Sequence, residues 1–210
     1  MITTVIFDVG GVQITGLRGV EDSITSKLNL KRNEASSNLE GKHLDDFCNG
    51  RISEEEYLIA VIRESGWNIS PEELKQGIRE NFREIEGTRG VVGDLKASGF
   101  KLGILSIHGK EWVEYILKRF DLGSVFDAMS YSYQVGISKP DPRSYQIIMR
   151  ELGSKPEECL FIDDTPQNIS AAKKLGMHAI LFSNAQQLRT DISALGISLK
   201  NIKPERVKVH

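Results

Sequence analysis

From residue 89 onward, short apolar segments alternate with segments of helical period, and this alternation restricts the possible folds more than any other feature. Apolar runs that predict strands lie at 101–105, 126–132, 159–162 and 178–182. Patterns that predict helices lie around them, at 91–98, 110–119, 142–152, 168–175 and 185–195. Strands that alternate with helices form a parallel sheet covered on both faces and joined by right-handed crossovers. The sequence therefore predicts a three-layer α/β fold of the Rossmann-like kind.

The first strand of this sheet is predicted at the amino terminus, where Thr4-Val5-Ile6-Phe7 is an apolar, β-branched run typical of a buried parallel strand. The run ends at Asp8, and Gly10 and Gly11 follow. A carboxylate in this position lies at the sheet edge where open α/β sheets bind ligands. The glycines allow a tight loop whose backbone, at Gly11 in particular, approaches a ligand closely. The alternative is an acid at an ordinary turn.

Between residues 20 and 82 the pattern predicts only helices, about four of them. Two helix starts are marked by capping boxes, Ser53 with Glu56 and Ser70 with Glu73. Since the first strand belongs with the later ones, the helices form an insertion. We predict a core domain of residues 1–14 and 89–210 and an inserted α-helical cap domain of residues 15–88, which overhangs the edge at Asp8.

Composition narrows the class of partner. The net charge is -2 and most basic residues are dispersed, so we expect neither nucleic acid nor a membrane surface as partner. No apolar run approaches the length of a membrane span. Cys48 and Cys159 are far apart and lack metal-ligand spacing, which indicates free buried thiols in a reducing compartment. The expected location is the cytoplasm, and the oligomeric state is not predicted.

Polar residues recur where the predicted strands end. Besides Asp8 they are Ser106 with His108, Lys139, and the pair Asp163-Asp164. Each also has a structural interpretation: Ser106 as a helix cap, Lys139 as a solvated lysine, and the aspartate pair as an N-cap. Together they converge on one edge of one sheet. Clustered carboxylates require a cation, and Mg²⁺ prefers oxygen ligands. A carboxylate there can attack phosphorus, while a lysine and a hydroxyl hold the phosphate oxygens.

Four segments in this order resemble the motifs of the haloacid dehalogenase superfamily, and the helical insertion resembles the small α-helical cap of that family. The segments are 7–12, 102–106, 139–145 and 161–168. The resemblance implies a phosphatase-like hydrolase of phosphate monoesters that acts on a small phosphorylated molecule. It implies Asp8 as nucleophile and Ser106 and Lys139 as phosphate contacts.

The same resemblance implies a magnesium ion held by Asp8, the Gly10 carbonyl and Asp164, with Asp163 in support. Arg18, just after the first motif, is a candidate substrate contact, although a solvated linker arginine is the alternative. Three other functions stay open: a 2-haloacid dehalogenase, a phosphonate hydrolase of the same fold, and a weak binding or regulatory domain. The acidic pair argues against the first and Lys139 against the second, whereas only Gly10 favours the third.

Two positions depart from the family pattern. Most family phosphatases carry a second aspartate two positions after the nucleophile, as an acid and base, and here that position is Gly10. Ile107 stands where an asparagine is common. Such an acid–base group contributes about 10²–10⁴-fold. We hypothesise that His108, on the loop after the second motif, supplies the missing function or contacts the substrate; the alternative is that it caps the helix that begins near Lys110.

Overall fold

The computed structural model describes residues 1–17, 19–20, 22, 25 and 37–200. Within them, five parallel strands form one sheet in the order β3-β2-β1-β4-β5. The strands are β1 (Thr4–Phe7), β2 (Lys101–Ser106), β3 (Ala128–Tyr131), β4 (Cys159–Asp163) and β5 (His178–Leu181). The predicted α/β architecture with a parallel sheet is confirmed. The two halves of the sheet diverge from β1, so its carboxyl end lies at the change of strand order, where such sheets bind ligands.

The strand register explains why polar residues distant in sequence meet at this edge. Phe7 of β1 pairs with Ile104 of β2 on one side and with Ile162 of β4 on the other. Both β1 and β4 are buried along their whole length. Because the neighbouring strands run parallel, the residues that follow them emerge on the same side of the sheet.

Helices surround the sheet and form the insertion. In the part of the insertion from residue 40 onward they are α1 (Lys42–Cys48), α2 (Glu54–Ser65) and α3 (Pro71–Asn81). The others are α4 (Thr88–Ala97), α5 (Lys110–Phe120), α6 (Ser132–Val135), α7 (Pro142–Glu151), α8 (Pro166–Lys174) and α9 (Ala185–Ala194). Short 3₁₀ turns at Gly123–Val125 and Pro156–Glu158 precede β3 and β4. The predicted bounds agree to within a few residues, and the part of the predicted bundle between 20 and 36 lies mostly outside the described residues.

The insertion begins its helices as the capping boxes predict. In α2 the Ser53 side chain accepts from the backbone N–H of Glu56, whose carboxylate accepts from the N–H of Ser53 in return. Ser70 and Glu73 make the same reciprocal pair at α3. These bonds satisfy two of the backbone donors that a helix start leaves without an intrahelical partner.

Buried apolar side chains form clusters on the two faces of the sheet and a further cluster between the insertion and α5. The last contains apolar side chains from each helix of the insertion, among them Phe47, Tyr57 and Leu74, and Trp112 of α5 packs edge-on against Phe47, Tyr57 and Phe82. Cys48 and Cys159 are free and buried, as predicted. No helix in the described parts of the chain combines the length and the apolar character that crossing a bilayer requires.

Four of the structural interpretations of strand-end residues are wrong. The N-cap of α8 is Thr165 rather than the pair Asp163-Asp164. The N-cap of α5 is Gly109, and neither Ser106 nor His108 makes a side-chain capping bond there. Lys139 is only 5% exposed and is therefore not a solvated lysine. Ser106, His108 and Lys139 have partners at the sheet edge instead. Asp163 is bonded to Lys139 as well as to Thr165 and Asn168 at the start of α8.

Candidate active site

Asp8 follows β1 directly, and partners hold both oxygens of its carboxylate. Oδ1 accepts a hydrogen bond from the backbone N–H of Val9 at 2.7 Å and one from Oγ of Ser106 at 2.6 Å. Oδ2 lies 2.8 Å from Nζ of Lys139. The residue is 8% exposed and lines the cavity described below. Asp8 is thus oriented by fixed groups, yet one face of it remains accessible to a ligand.

Lys139 lies on the loop between α6 and α7 and joins two carboxylates. Its Nζ is 2.6 Å from Oδ2 of Asp163 as well as 2.8 Å from Asp8. Burial by itself lowers the pKa of this lysine, but the charges of Asp8 and Asp163 outweigh burial and raise the pKa. The ammonium group therefore stays charged, and it neutralises part of the negative charge collected at the sheet edge.

Asp163 and Asp164 end β4 in different environments. Asp163 is fully buried, and its oxygens accept from the Thr165 N–H at 2.8 Å, from Nδ2 of Asn168 at 3.0 and 3.1 Å, and from Lys139. Asp164 lines the cavity, and one of its oxygens accepts from Oγ1 of Thr165 at 3.3 Å. The first aspartate therefore organises the loop from within, whereas the second faces the space where a ligand binds.

The donor set of this edge fits a hard divalent cation. One carboxylate oxygen from each of Asp8, Asp163 and Asp164 can be chosen so that all lie within 4.8 Å of one another. Three carboxylates that meet beside the ammonium of Lys139 supply the hard oxygen ligands that Mg²⁺ prefers. Gly11 is necessary for this packing: it has a φ of +74°, and a Cβ there would lie 2.1 Å from Oδ2 of Asp164.

Ser106 ends β2 and links Asp8 to His108. Its Oγ is 2.9 Å from Nδ1 of His108, and the His108 backbone N–H donates to Oγ of Ser132 at 3.1 Å. The imidazole is 6% exposed and lines the cavity. Burial, with a smaller effect of the Lys139 charge, lowers the pKa of His108 to about 4. The ring is therefore neutral near pH 7.

A cavity of about 320 Å³ opens in front of Asp8 and is bounded by both the sheet edge and the insertion. The insertion contributes side chains with apolar bodies, among them Leu39, Leu44 and Phe82, and α5 contributes Trp112. Glu40 and Asp45 also line it. The volume suits a small molecule, with polar groups confined mostly to the strand ends and apolar groups opposite them.

The structure brings together most of the residues singled out in the sequence. Asp8, Ser106, His108, Lys139, Asp163 and Asp164 lie in one connected polar array, which Gly10 and Gly11 adjoin. The backbone N–H of Gly11 donates to the Ile14 carbonyl at 2.7 Å and is therefore engaged within the loop. What Gly11 contributes to the site is the space that its missing side chain leaves for Asp164. The candidate Arg18 lies outside the described residues. Sequence reasoning missed Ser132, although its place after β3 is the same strand-end signal that identified the others.

A family model described as haloacid dehalogenase-like hydrolase matches residues 20–182. The match begins after Asp8 and therefore does not include it. The evidence that places Asp8 in the site is the pairing of β1 with β2 and β4. Among curated relatives, flavin mononucleotide hydrolase 1 of Arabidopsis thaliana is 31% identical over 154 residues, which are 73% of this chain and 62% of that protein.

The matches to the first four curated relatives cover only 50% to 62% of the relatives' own lengths. Two solved structures are similar along nearly their whole chains. A HAD-like family hydrolase from Porphyromonas gingivalis is 26% identical with a TM-score of 0.75, covering 94% of this chain and 99% of that one. A HAD family enzyme from Bacteroides thetaiotaomicron, solved with magnesium and inorganic phosphate, is 18% identical with a TM-score of 0.74 and coverages of 88% and 96%.

Proposed function

Because the chain belongs to the haloacid dehalogenase-like hydrolases, we propose that it hydrolyses phosphate monoesters of small molecules, with Asp8 as the nucleophile. One observation carries the proposal. The Asp8 carboxylate ends the central strand, at the mouth of a cavity, with a buried ammonium at 2.8 Å and a hydroxyl at 2.6 Å. A binding module has no need of a carboxylate oriented in this way, whereas a nucleophile does.

In the first step an oxygen of Asp8 forms a bond to phosphorus, and the bond between phosphorus and the ester oxygen breaks. The leaving oxygen departs with the electron pair and takes a proton from the surrounding water. Ser106 and Lys139 hold the phosphoryl oxygens, since both already contact Asp8 and reach its vicinity without rearrangement. In the second step water cleaves the phosphorylated aspartate. Most of the catalysis is then positioning and charge stabilisation, as in other phosphoryl transfers.

Magnesium fits the acidic cluster, and we assign it to Asp8, the Gly10 carbonyl and Asp164. Asp163 supports the site indirectly, because its oxygens are engaged by Lys139, Asn168 and Thr165. A bound Mg²⁺ supplies electrostatic stabilisation of the transferring phosphoryl group. The ammonium of Lys139 lies between Asp8 and Asp163 and reduces the repulsion between these two buried carboxylates.

The insertion is assigned as a cap domain of residues 15–88 on a core of 1–14 and 89–210. Support comes from the cavity, whose walls combine strand-end residues with apolar side chains of the insertion. Its apolar wall favours a leaving group with an apolar face. The absence of a carboxylate at position 10 removes the usual proton donor. We therefore expect aryl and acyl phosphates, whose leaving groups depart as stable anions, to be hydrolysed faster than alkyl phosphates.

The test is the release of phosphate from an aryl phosphate with magnesium present. We expect Asp8→Asn and removal of the metal by a chelator each to abolish release, and mass spectrometry to find phosphate on Asp8 during turnover of the wild type. Asp121→Asn, at an exposed helix end, is the matched control and retains activity. Full activity of Asp8→Asn would show that another nucleophile acts.

A further inference from the structure

The imidazole of His108 occupies the space that a side chain at position 10 would enter. A Cβ built on Gly10 lies 3.1 Å from Cε1 of His108, which is tighter than most such contacts, and 3.6 Å from Nε2, an ordinary van der Waals distance. Most family phosphatases carry an aspartate at this position. Here position 10 has no side chain, and the ring of His108, from a different loop, lies beside the space that the side chain would take. Gly10 and His108 form a complementary pair, because a side chain at position 10 requires the ring to give way by a few tenths of an ångström.

The hydrogen bonds of the site determine which nitrogen of His108 carries its proton. As a carboxylate, Asp8 is only an acceptor, so the single hydroxyl proton of Ser106 is donated to Oδ1 of Asp8 at 2.6 Å. Oγ of Ser106 must then accept from Nδ1–H of His108, 2.9 Å away. A neutral ring with its proton on Nδ1 leaves Nε2 as a bare acceptor. The lowered pKa of the buried ring is consistent with this neutral form.

Nε2 is directed to the side of the ring that faces the nucleophile loop. It lies near Gly10, and within the described chain no hydrogen bond engages it, whereas Nδ1 and the backbone N–H of His108 are both engaged. The residue lines the cavity together with Asp8 and Asp164. Nε2 is held in place because Nδ1 of the same ring is hydrogen-bonded, and it can still accept a hydrogen bond at the cavity. It is therefore suited to bind a hydroxyl group or water.

We propose that His108, through Nε2, holds the water that attacks the phosphorylated Asp8, in the place of the second aspartate. This inference rests on the proposed function. The water donates a hydrogen bond to Nε2, which directs its lone pair at phosphorus. The water oxygen forms the new bond to phosphorus, the bond from phosphorus to the Asp8 oxygen breaks, and its electron pair returns to the carboxylate. Both hydrogens of the water leave with the phosphate as dihydrogen phosphate, which balances atoms and charge.

The assignment separates the two half-reactions. His108 orients water for the second step and contributes no proton to the leaving group in the first. Loss of Nε2 therefore slows release of phosphate from Asp8 and leaves its phosphorylation intact. A purely structural role of the ring would slow both steps, because it would disturb Ser106 and Asp8 alike.

Two substitutions test the donor at Nδ1 and the acceptor at Nε2 separately. In His108→Asn the amide nitrogen keeps a donor near the place of Nδ1 for Ser106 but nothing reaches Nε2. In His108→Gln the longer amide reaches the region of Nε2 with an acceptor oxygen. Rapid mixing with an aryl phosphate measures the initial burst of released phenolate and the slower steady state. Quenched samples measure the fraction of Asp8 that carries phosphate.

We expect His108→Asn to retain the burst rate, to lower the steady-state rate about 10²-fold, and to accumulate phosphorylated Asp8. His108→Gln should recover about tenfold of that loss. Wild-type steady-state turnover in His108→Asn, or equal slowing of burst and steady state in both variants, would overturn the inference. Thermal unfolding of each variant identifies a folding defect. If His108→Asn fails to fold, the phosphorylated fraction in His108→Gln and in the exchange variant below decides the question.

An exchange variant tests the shared space independently. Gly10→Asp alone should lose activity because the new side chain meets the imidazole, and Gly10→Asp combined with His108→Ala should exceed both single variants, especially on alkyl phosphates. Additive losses would contradict the pairing. These outcomes differ from a failure of the proposed function, which would appear as the absence of phosphorylated Asp8 in the wild type and as full activity of Asp8→Asn.

Discussion

Two clusters of charged side chains, each with a buried carboxylate, lie at the cavity and beside it, and they differ in composition. The strand-end cluster consists of Asp8, Lys139, Asp163 and Asp164 at the carboxyl edge of the sheet. The Glu54 cluster consists of Glu54, Lys75, Arg79 and Trp112 and joins the insertion to α5. The first has more acids than bases, whereas the second has one acid and two bases.

In the Glu54 cluster every strong acceptor has a partner within the protein. Oε2 of Glu54 is 2.8 Å from Arg79 and 3.9 Å from Lys75, and Oε1 accepts from Nε1 of Trp112 at 2.9 Å. The Arg79 guanidinium also stacks 4.9 Å above the ring of Tyr115. Glu54 is 4% exposed, and burial raises its pKa against the lowering effect of both cations. A cluster whose one buried acid is paired in this way holds two parts of a protein together and has no capacity left for a metal.

The strand-end cluster, as defined, sets three carboxylates beside the one ammonium of Lys139. Burying a charge is costly unless it is paired, and a surplus of acids over bases is the composition expected of a site for a divalent cation. The comparison teaches that the ratio of acids to bases, and not burial, distinguishes a ligand site from a structural one. Three substitutions sharpen or break this distinction.

The largest expected effect follows from Lys139→Met. Without the ammonium, Asp8 and Asp163 repel each other and the phosphoryl oxygens lose a cation, so we expect kcat/KM to fall about 10³-fold. Lys110→Met, in the exposed first turn of α5, is the matched control and should change kcat/KM less than about threefold. A small effect of Lys139→Met on steady-state kinetics would show that the lysine has only a structural role.

Glu54→Gln should act on stability instead. The amide leaves Arg79 and Lys75 without their buried counter-charge, and breaking a buried pair costs about 3 kcal/mol. Denaturant unfolding measures the loss, and Glu55→Gln, on the exposed face of α2, is the control with an effect below about 0.5 kcal/mol. Under conditions where the variant is folded, activity should be retained. An active-site defect without a loss of stability would reverse the roles of the two clusters.

The smallest expected effect concerns pH. The folded His108 has a pKa of about 4, whereas an unfolded histidine has ~6.5, so between these values only the unfolded chain takes up the proton. The unfolding free energy therefore decreases as the pH falls, by about 1 kcal/mol between about pH 7.5 and about pH 5.5 from this group.

His108→Asn removes this contribution. The stability difference between wild type and His108→Asn, measured by denaturant titration without metal at each pH, should shift by the same amount. His178→Asn, at an exposed position, is the control. A difference that stays constant over this range would contradict the assigned environment of His108.

Much of the fold and of the site follows from local sequence signals. The alternation after residue 89 predicts the layers, and the strand-end positions of Asp8, Ser106 and Asp163 predict their meeting because parallel strands share an edge. The capping boxes predict the starts of α2 and α3. Each of these signals depends on residues close in sequence or on the general geometry of parallel sheets, so a single sequence contains it.

Other contacts have no local signature. Glu54 and Trp112 meet across 58 positions, and Cys48 accepts a hydrogen bond from Ser132 across 84. The sequence shows a capping-box segment and a helical aromatic in the first case, but nothing in either pattern indicates the partner. These pairs depend on how the insertion packs against α5 and α6. The shapes of the side chains decide that packing only after the elements have formed.

The chain's own pattern determined the parallel sheet, the helical insertion and the group of polar residues at one edge, because hydrophobic periodicity and strand direction act locally. Only the tertiary structure decided that Lys139 lies between two aspartates, that Asp163 faces inward while Asp164 faces the cavity, and that an imidazole fills the space beside Gly10. Those outcomes depend on distances of a few ångströms between side chains on separate loops. Close packing sets such distances, and periodicity does not.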